Sequence, residues 1–142
     1  MDLKIFCDGG ARGNPGPAAW AFIVYDDKNQ ILAQKNEKMG EATNNVAEYT
    51  AVIKTLEWLK DYMGHTKAQE KDKRQIRFYL DSQLVTSQLN GLYKVKNPRM
   101  RELIVKVREG EWEVGGNILY EYIPREKNKM ADSLVNEALD TS

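Results

Sequence analysis

The sequence predicts an α/β fold, a five-stranded mixed sheet with helices on both faces. Three observations carry that expectation. Short runs with a two-residue period alternate with longer runs at helical spacing. The first three strand-like runs follow one another with no helix between them, the signature of hairpins and antiparallel neighbours. The later ones are separated by helices, which implies parallel neighbours and right-handed crossovers. The predicted order is β-β-β-α-β-α-α-β-α, and 142 residues fit one domain, 1–142.

The first strand covers residues 3 to 8, with Leu3, Ile5 and Cys7 on one face and Phe6 and Asp8 on the other, and it ends at Asp8. A turn with four glycines and two prolines follows, between Gly9 and Pro17. The segment "AAWAFIVYDDKNQILAQKNEKMG" then supplies two strands joined by the polar "DDKNQ". From Thr43 the period changes, and Tyr49, Val52, Ile53, Leu56, Leu59 and Met63 mark a helix that gives way to the polar loop "GHTKAQEKDKRQ". "IRFYLDS" is a strand ending in Asp81, with Ile76, Phe78 and Leu80 on the face opposite Tyr79. "SQLVTSQLNG" is a short helix stopping at Asn90-Gly91, and Met100, Leu103, Ile104 and Val107 mark another that starts at Pro98. "NILYEYIP" is the last strand; Ala131, Leu134, Val135, Ala138 and Leu139 form the stripe of a closing helix that Asn128 is placed to cap.

Composition narrows the classes without choosing one. The 21 basic residues balance the 21 acidic ones, so overall charge selects no partner. A single cysteine, Cys7, excludes disulfides and cysteine-based zinc sites within a monomer, and suits a reducing, cytoplasmic setting. No run approaches the roughly 20 apolar residues of a membrane-spanning helix, and no basic-then-apolar leader opens the chain.

Four carboxylates occupy positions where chemistry gathers. Ligands of open sheets collect beyond the carboxyl ends of strands, where Asp8 and Asp81 stand, although turns also attract aspartate for backbone hydrogen bonding. Glu48, three residues after Asn45, has the form of a capping box, yet helical periodicity also puts it on the margin of the buried stripe beside Val52. Asp132 suits the first turn of a helix through the macrodipole, and it too borders an apolar stripe, next to Leu139. Four such groups converging would repel unless cations were bound or their pKa values rose. A donor set of hard oxygens points to magnesium or manganese rather than zinc.

The blocks "CDGGARGNPGPAAW", "ATNNVAEYTAVIKTLEWL", "FYLDSQLVTSQLNG" and "IPREKNKMADSLVNEAL" resemble, in order, the four active-site blocks of type 1 ribonuclease H, over nearly the whole chain. The resemblance implies the ribonuclease H-like fold and an endoribonuclease that hydrolyses the RNA strand of RNA/DNA hybrids, leaving 5′-phosphate and 3′-hydroxyl ends. It implies Asp8, Glu48, Asp81 and Asp132 as catalytic carboxylates holding two magnesium ions, with manganese as the alternative and Asp8 bridging both. Asn14, Asn44 and Asn45 match minor-groove contacts near the RNA 2′-hydroxyls, Thr43 matches a DNA-phosphate contact, and Gly9, Ser82 and Arg125 join them as substrate-binding positions. An amide suits that task, since it both donates to and accepts from a hydroxyl. The glycines of the first turn are expected to let the backbone approach a nucleic-acid strand closely.

The chain departs from the family pattern in two places. Many members carry a histidine where "IPREKNKMAD" has Arg125; the only histidine, His65, lies elsewhere. A guanidinium does not titrate, so phosphate or product contact is the role left for it, against that of a plain surface arginine. Some relatives also insert a basic, tryptophan-bearing protrusion where this chain has "LYKVKNPRMREL". Lys94, Lys96, Arg99, Arg101, Lys106 and Arg108 nevertheless form a basic patch interrupted by Glu102 alone, and Leu92 or Tyr93 offers an apolar contact to sugar. No separate hybrid-binding domain is visible, so modest affinity is expected, from a monomer with no protein partner. A non-cutting nucleic-acid binder would gain nothing from clustered acids. A phosphate-cradling kinase or phosphatase would need a P-loop ending in GKS or GKT, which is absent.

Overall fold

Chain order and sheet order differ, and that difference builds the site. In the computed structural model, which describes residues 2–64 and 74–141, β1 (Leu3–Ala11), β2 (Gly16–Tyr25), β3 (Ile31–Ala42), β4 (Gln75–Leu80) and β5 (Asn117–Tyr122) form one sheet in the order β3-β2-β1-β4-β5. β2 runs antiparallel to β1 and β3, while β1 with β4 and β4 with β5 are parallel. Among the described residues the helices are α1 (Asn44–Met63), α2 (Gln83–Leu89), α3 (Pro98–Val114) and α4 (Lys129–Asp140), the last preceded by a 3-10 turn at Arg125–Lys127. This is the predicted order and the predicted mixed sheet. Most of the polar loop read from "GHTKAQEKDKRQ", with His65, lies outside the described residues.

β2 is covered on both sides, which explains its continuous apolar run. Trp20, Phe22 and Val24 join the main core beneath α1 and α3, whereas Ala19 and Ala21 on the other face meet Val135 and Ala138 of α4. The small side chains there let the helix approach closely. β3, at the edge, is mostly exposed and polar, and Lys35 and Lys38 carry charges that discourage edge pairing. The "DDKNQ" turn is fixed by Asp26, whose Oδ1 accepts from the amides of Lys28 and Gln30 at 2.8 and 2.9 Å.

Three local readings need correction. β1 does not stop at Asp8; it continues to Ala11 along β2 while its parallel partner β4 ends at Leu80. Gly9 and Gly10 carry no side chain and so gave no periodicity to read. The N-cap of α1 is Thr43, whose hydroxyl accepts from Val46 N–H at 3.3 Å, so Asn45 and Glu48 form no capping box. Asn128 precedes α4, yet its side chain makes no capping bond.

Candidate active site

The parallel register pairs Phe6 with Tyr79, and two residues further on it sets Asp8 of β1 beside Asp81, just past β4. Glu48 arrives from α1 because the first turn of that helix rests directly on β1. A Cβ built on Gly9 would lie 2.2 Å from the carbonyl carbon of Ala47 and 2.5 Å from the nitrogen of Glu48, so only glycine admits this approach. At Gly9 the close backbone approach is made with α1, where the sequence leads us to expect a nucleic-acid strand. The Gly9 amide donates to Glu48 Oε1 at 2.9 Å. Asp81 in turn accepts on Oδ2 from Asn128 Nδ2 at 2.9 Å.

The result is a cluster. Asp8, Glu48 and Asp81 each offer an oxygen, all within 4.8 Å of one another. Asp132, in the first turn of α4, lines the same cleft of about 500 Å³ but stands outside that triad. Asn136 donates to the backbone oxygen of Asp132 at 3.2 Å and stands 3.5 Å from its Oδ2.

Burial and mutual repulsion load these acids. Asp8 is pushed up to about 7, first by burial and then by the charges of Asp81 and Asp132, against a lowering hydrogen bond with Glu48. Glu48 rises well above the usual carboxylate range through burial and its contact with Asp8. Its Oε2 is buried with no donor facing it among the described residues. A partnerless buried oxygen, and carboxylates that resist ionising together, are what a cation site shows before its ion binds. The three oxygens fit a hard divalent cation.

Gly9, Asn44, Asn45, Ser82 and Arg125 line the cleft with the four acids. Asn14 and Thr43 do not line it. Asn14 Oδ1 accepts from the amide of Asn44 at 3.0 Å, and Asn44 Oδ1 accepts from Ala11 at 2.8 Å, which pins the glycine turn to the start of α1. The amide NH2 groups of Asn14, Asn44 and Asn45 donate no hydrogen bond among the described residues. Ser82 caps α2 through Val85 N–H at 3.2 Å, and the capping hydroxyls of Ser82 and Thr43 keep their own protons to donate.

Sequence reasoning passed over Asn136 and Arg12, and read Asn128 only as a helix cap. Arg12 lines the cleft and pairs with Asp140 at 2.5 Å, an interaction across the whole chain that no local pattern signals. The basic patch is partly spoken for: Arg99 pairs with Glu102, Arg108 with Glu111, and Arg101 donates to the Val95 carbonyl. Leu92 and Tyr93 beside it are 74% and 58% exposed.

A family model described as reverse transcriptase-like matches residues 6–138. The ribonuclease H1 LC11, isolated from compost by a metagenomic approach, superposes with a TM-score of 0.88 at 42% identity, covering 98% of this chain and 96% of that one. The same enzyme has been crystallised in complex with an RNA/DNA hybrid. Ribonuclease H1 of the halophilic archaeon Halobacterium salinarum superposes with a TM-score of 0.87 at 35% identity over the full length of both chains. The bifunctional protein Rv2228c of Mycobacterium tuberculosis is 38% identical in an alignment that covers 100% of this chain and 36% of that protein. The chain thus spans about a third of that relative's length.

Proposed function

We propose, for a chain that belongs to the type 1 ribonuclease H family, endonucleolytic hydrolysis of the RNA strand in RNA/DNA hybrids, leaving 5′-phosphate and 3′-hydroxyl ends. The observation that carries this reading is the meeting of Asp8, Glu48 and Asp81 within 4.8 Å, where α1 crosses β1 and the parallel strand β4 ends. The LC11 complex supports the substrate class, because the neighbour solved with a hybrid is 41% identical over 97% of this chain.

Asp8, Glu48, Asp81 and Asp132 would hold two divalent cations, magnesium in our reading with manganese as the alternative. Such ions supply an acidified water and offset the charge on the departing 3′-oxygen. The side chains do the rest by placement. Asp8 lies between Glu48 on α1 and Asp81 beyond β4, where a shared ligand belongs. Asn44 and Asn45 present amide donors at the cleft, suited to the 2′-hydroxyls that separate RNA from DNA. Asn14 and Thr43 brace that edge, with Thr43 offering its hydroxyl proton to a phosphate. Gly9 and Ser82 complete the floor. Arg125, a guanidinium at the cleft, is suited to attract a phosphate and not to shuttle a proton. We place the domain as a monomer in the cytoplasm.

The test uses one labelled duplex of about 12 to 20 base pairs, the span of a small groove. It is offered as hybrid, duplex RNA and duplex DNA, each with magnesium, manganese or chelator. Cleavage of the RNA strand of the hybrid with metal, and none with chelator, is expected. Cleavage in chelator, or no cleavage of the hybrid with either metal, refutes the reading.

A further inference from the structure

Asn128 is a poor helix cap and a well-placed brace. It is 1% exposed. Its Nδ2 donates to the Cys7 carbonyl at 2.8 Å and to Asp81 Oδ2 at 2.9 Å, while its backbone carbonyl accepts from Asp132 N–H at 3.1 Å. One residue therefore touches the strand residue preceding Asp8, the side chain of Asp81, and the backbone of Asp132. These contacts join β1, the end of β4 and the start of α4.

The arrangement is costly for stability alone. Asn128 Oδ1 is buried without a hydrogen-bond partner among the described residues, and α4 begins without a side-chain cap. What the amide gains instead is two hydrogen bonds directed at the site. Its neutrality matters as well, because a lysine or arginine in this place would hold Asp81 equally well while repelling a cation. With Oδ2 held by the amide, the Asp81 carboxylate is fixed in orientation, and its Oδ1 accepts no hydrogen bond among the described residues.

We infer that Asn128 is a positioning residue of the metal site, fixing the Asp81 side chain and docking α4 on β1 so that Asp8, Asp81 and Asp132 are aligned before a cation arrives. This rests on the reading of the cleft as a divalent-cation site.

The test is Asn128→Ala, followed by magnesium calorimetry without substrate, hybrid cleavage resolved into kcat and KM, and thermal unfolding in chelator. Loss of a partner that orients a ligand raises the magnesium dissociation constant by about ten- to a hundredfold. The value of kcat falls in step, and KM for hybrid stays within about twofold because substrate contacts are untouched. Asn36→Ala is the control. Its amide donates to the Leu134 carbonyl at 2.7 Å, tying α4 to β3 away from the acids. It should lower thermal stability and leave magnesium affinity and kcat as they are. Should Asn128→Ala fail to fold, Asn128→Ser serves, since a hydroxyl donates one hydrogen bond where the amide donates two, and an intermediate loss is expected. A folded variant that binds magnesium and turns over like the parent overturns this inference alone. A parent that binds no magnesium overturns the cation-site reading with it.

Discussion

Substituting Gly9 tests how α1 delivers Glu48 to the site. The added methyl of Gly9→Ala would sit 2.2 Å from Ala47 C, 2.3 Å from Ala47 O and 2.5 Å from Glu48 N, all backbone atoms with no rotamer to give way. Carbon atoms rest about 3.5 to 4.0 Å apart, so the first turn of α1 must lift by about 1 Å or more. Overpacking of this kind costs about 1 to 3 kcal/mol. The lift also breaks the 2.9 Å bond from Gly9 N–H to Glu48 Oε1, worth about 1 to 3 kcal/mol when a buried carboxyl is involved. The sum, about 2 to 6 kcal/mol, is a large share of the stability of a typical domain, about 5 to 15 kcal/mol. The neighbouring Gly10→Ala provides the comparison, because its methyl meets Val135 Cγ1 at 3.7 Å, ordinary contact. Urea unfolding in chelator should place Gly9→Ala well below Gly10→Ala, and any folded Gly9→Ala protein should cleave hybrid at a small fraction of the parental rate. Equal midpoints for the two variants, or full activity in Gly9→Ala, would show that α1 does not bear on β1 as described.

Asp8→Asn should abolish hybrid cleavage yet raise the unfolding midpoint in chelator, because it removes a charge from a crowded site; a lowered midpoint contradicts the repulsion. The pH dependence follows from the same group. Its folded value of about 7 stands above the ordinary 3.8, so the folded state holds a proton that the unfolded state has lost between those limits. Stability in chelator should therefore fall as pH rises through that window, by up to about 4 kcal/mol at 1.36 kcal/mol per unit, and urea midpoints should show a flatter slope in Asp8→Asn. Arg125→Ala should lower multiple-turnover cleavage several-fold without eliminating it, and unaltered kinetics remove that side chain from the reaction. Asp26→Ala, which strips two amides of their acceptor, should cost about 1 to 2 kcal/mol of stability, read by thermal unfolding, with cleavage unchanged.

Much of the architecture was legible because each element carries its own period. The alternation of Ile76, Phe78 and Leu80 and the stripe of Met100, Leu103 and Val107 are local facts, and burial follows them. The failures share a cause as well. Glycine has no side chain, so the extension of β1 past Asp8 is decided by β2, which supplies the pairing. Spacing by three suited Asn45 with Glu48 as well as Thr43 with Val46, and only contact with Gly9 settles where Glu48 points. Local signals left each acid with an ordinary explanation; the four blocks in order singled them out. Asn128 followed the capping pattern in position but not in bonding, since its partners at Cys7 and Asp81 lie 121 and 47 residues away.

The acids recur at residues 8, 48, 81 and 132, and the central strand finds its parallel partner only after α1 has been made. The triad needs β1, α1 and β4 together, and Asp132 comes only with the last helix. On the proposed reading, the full set of acids is therefore complete only when α4 has docked, as a property of the finished tertiary structure.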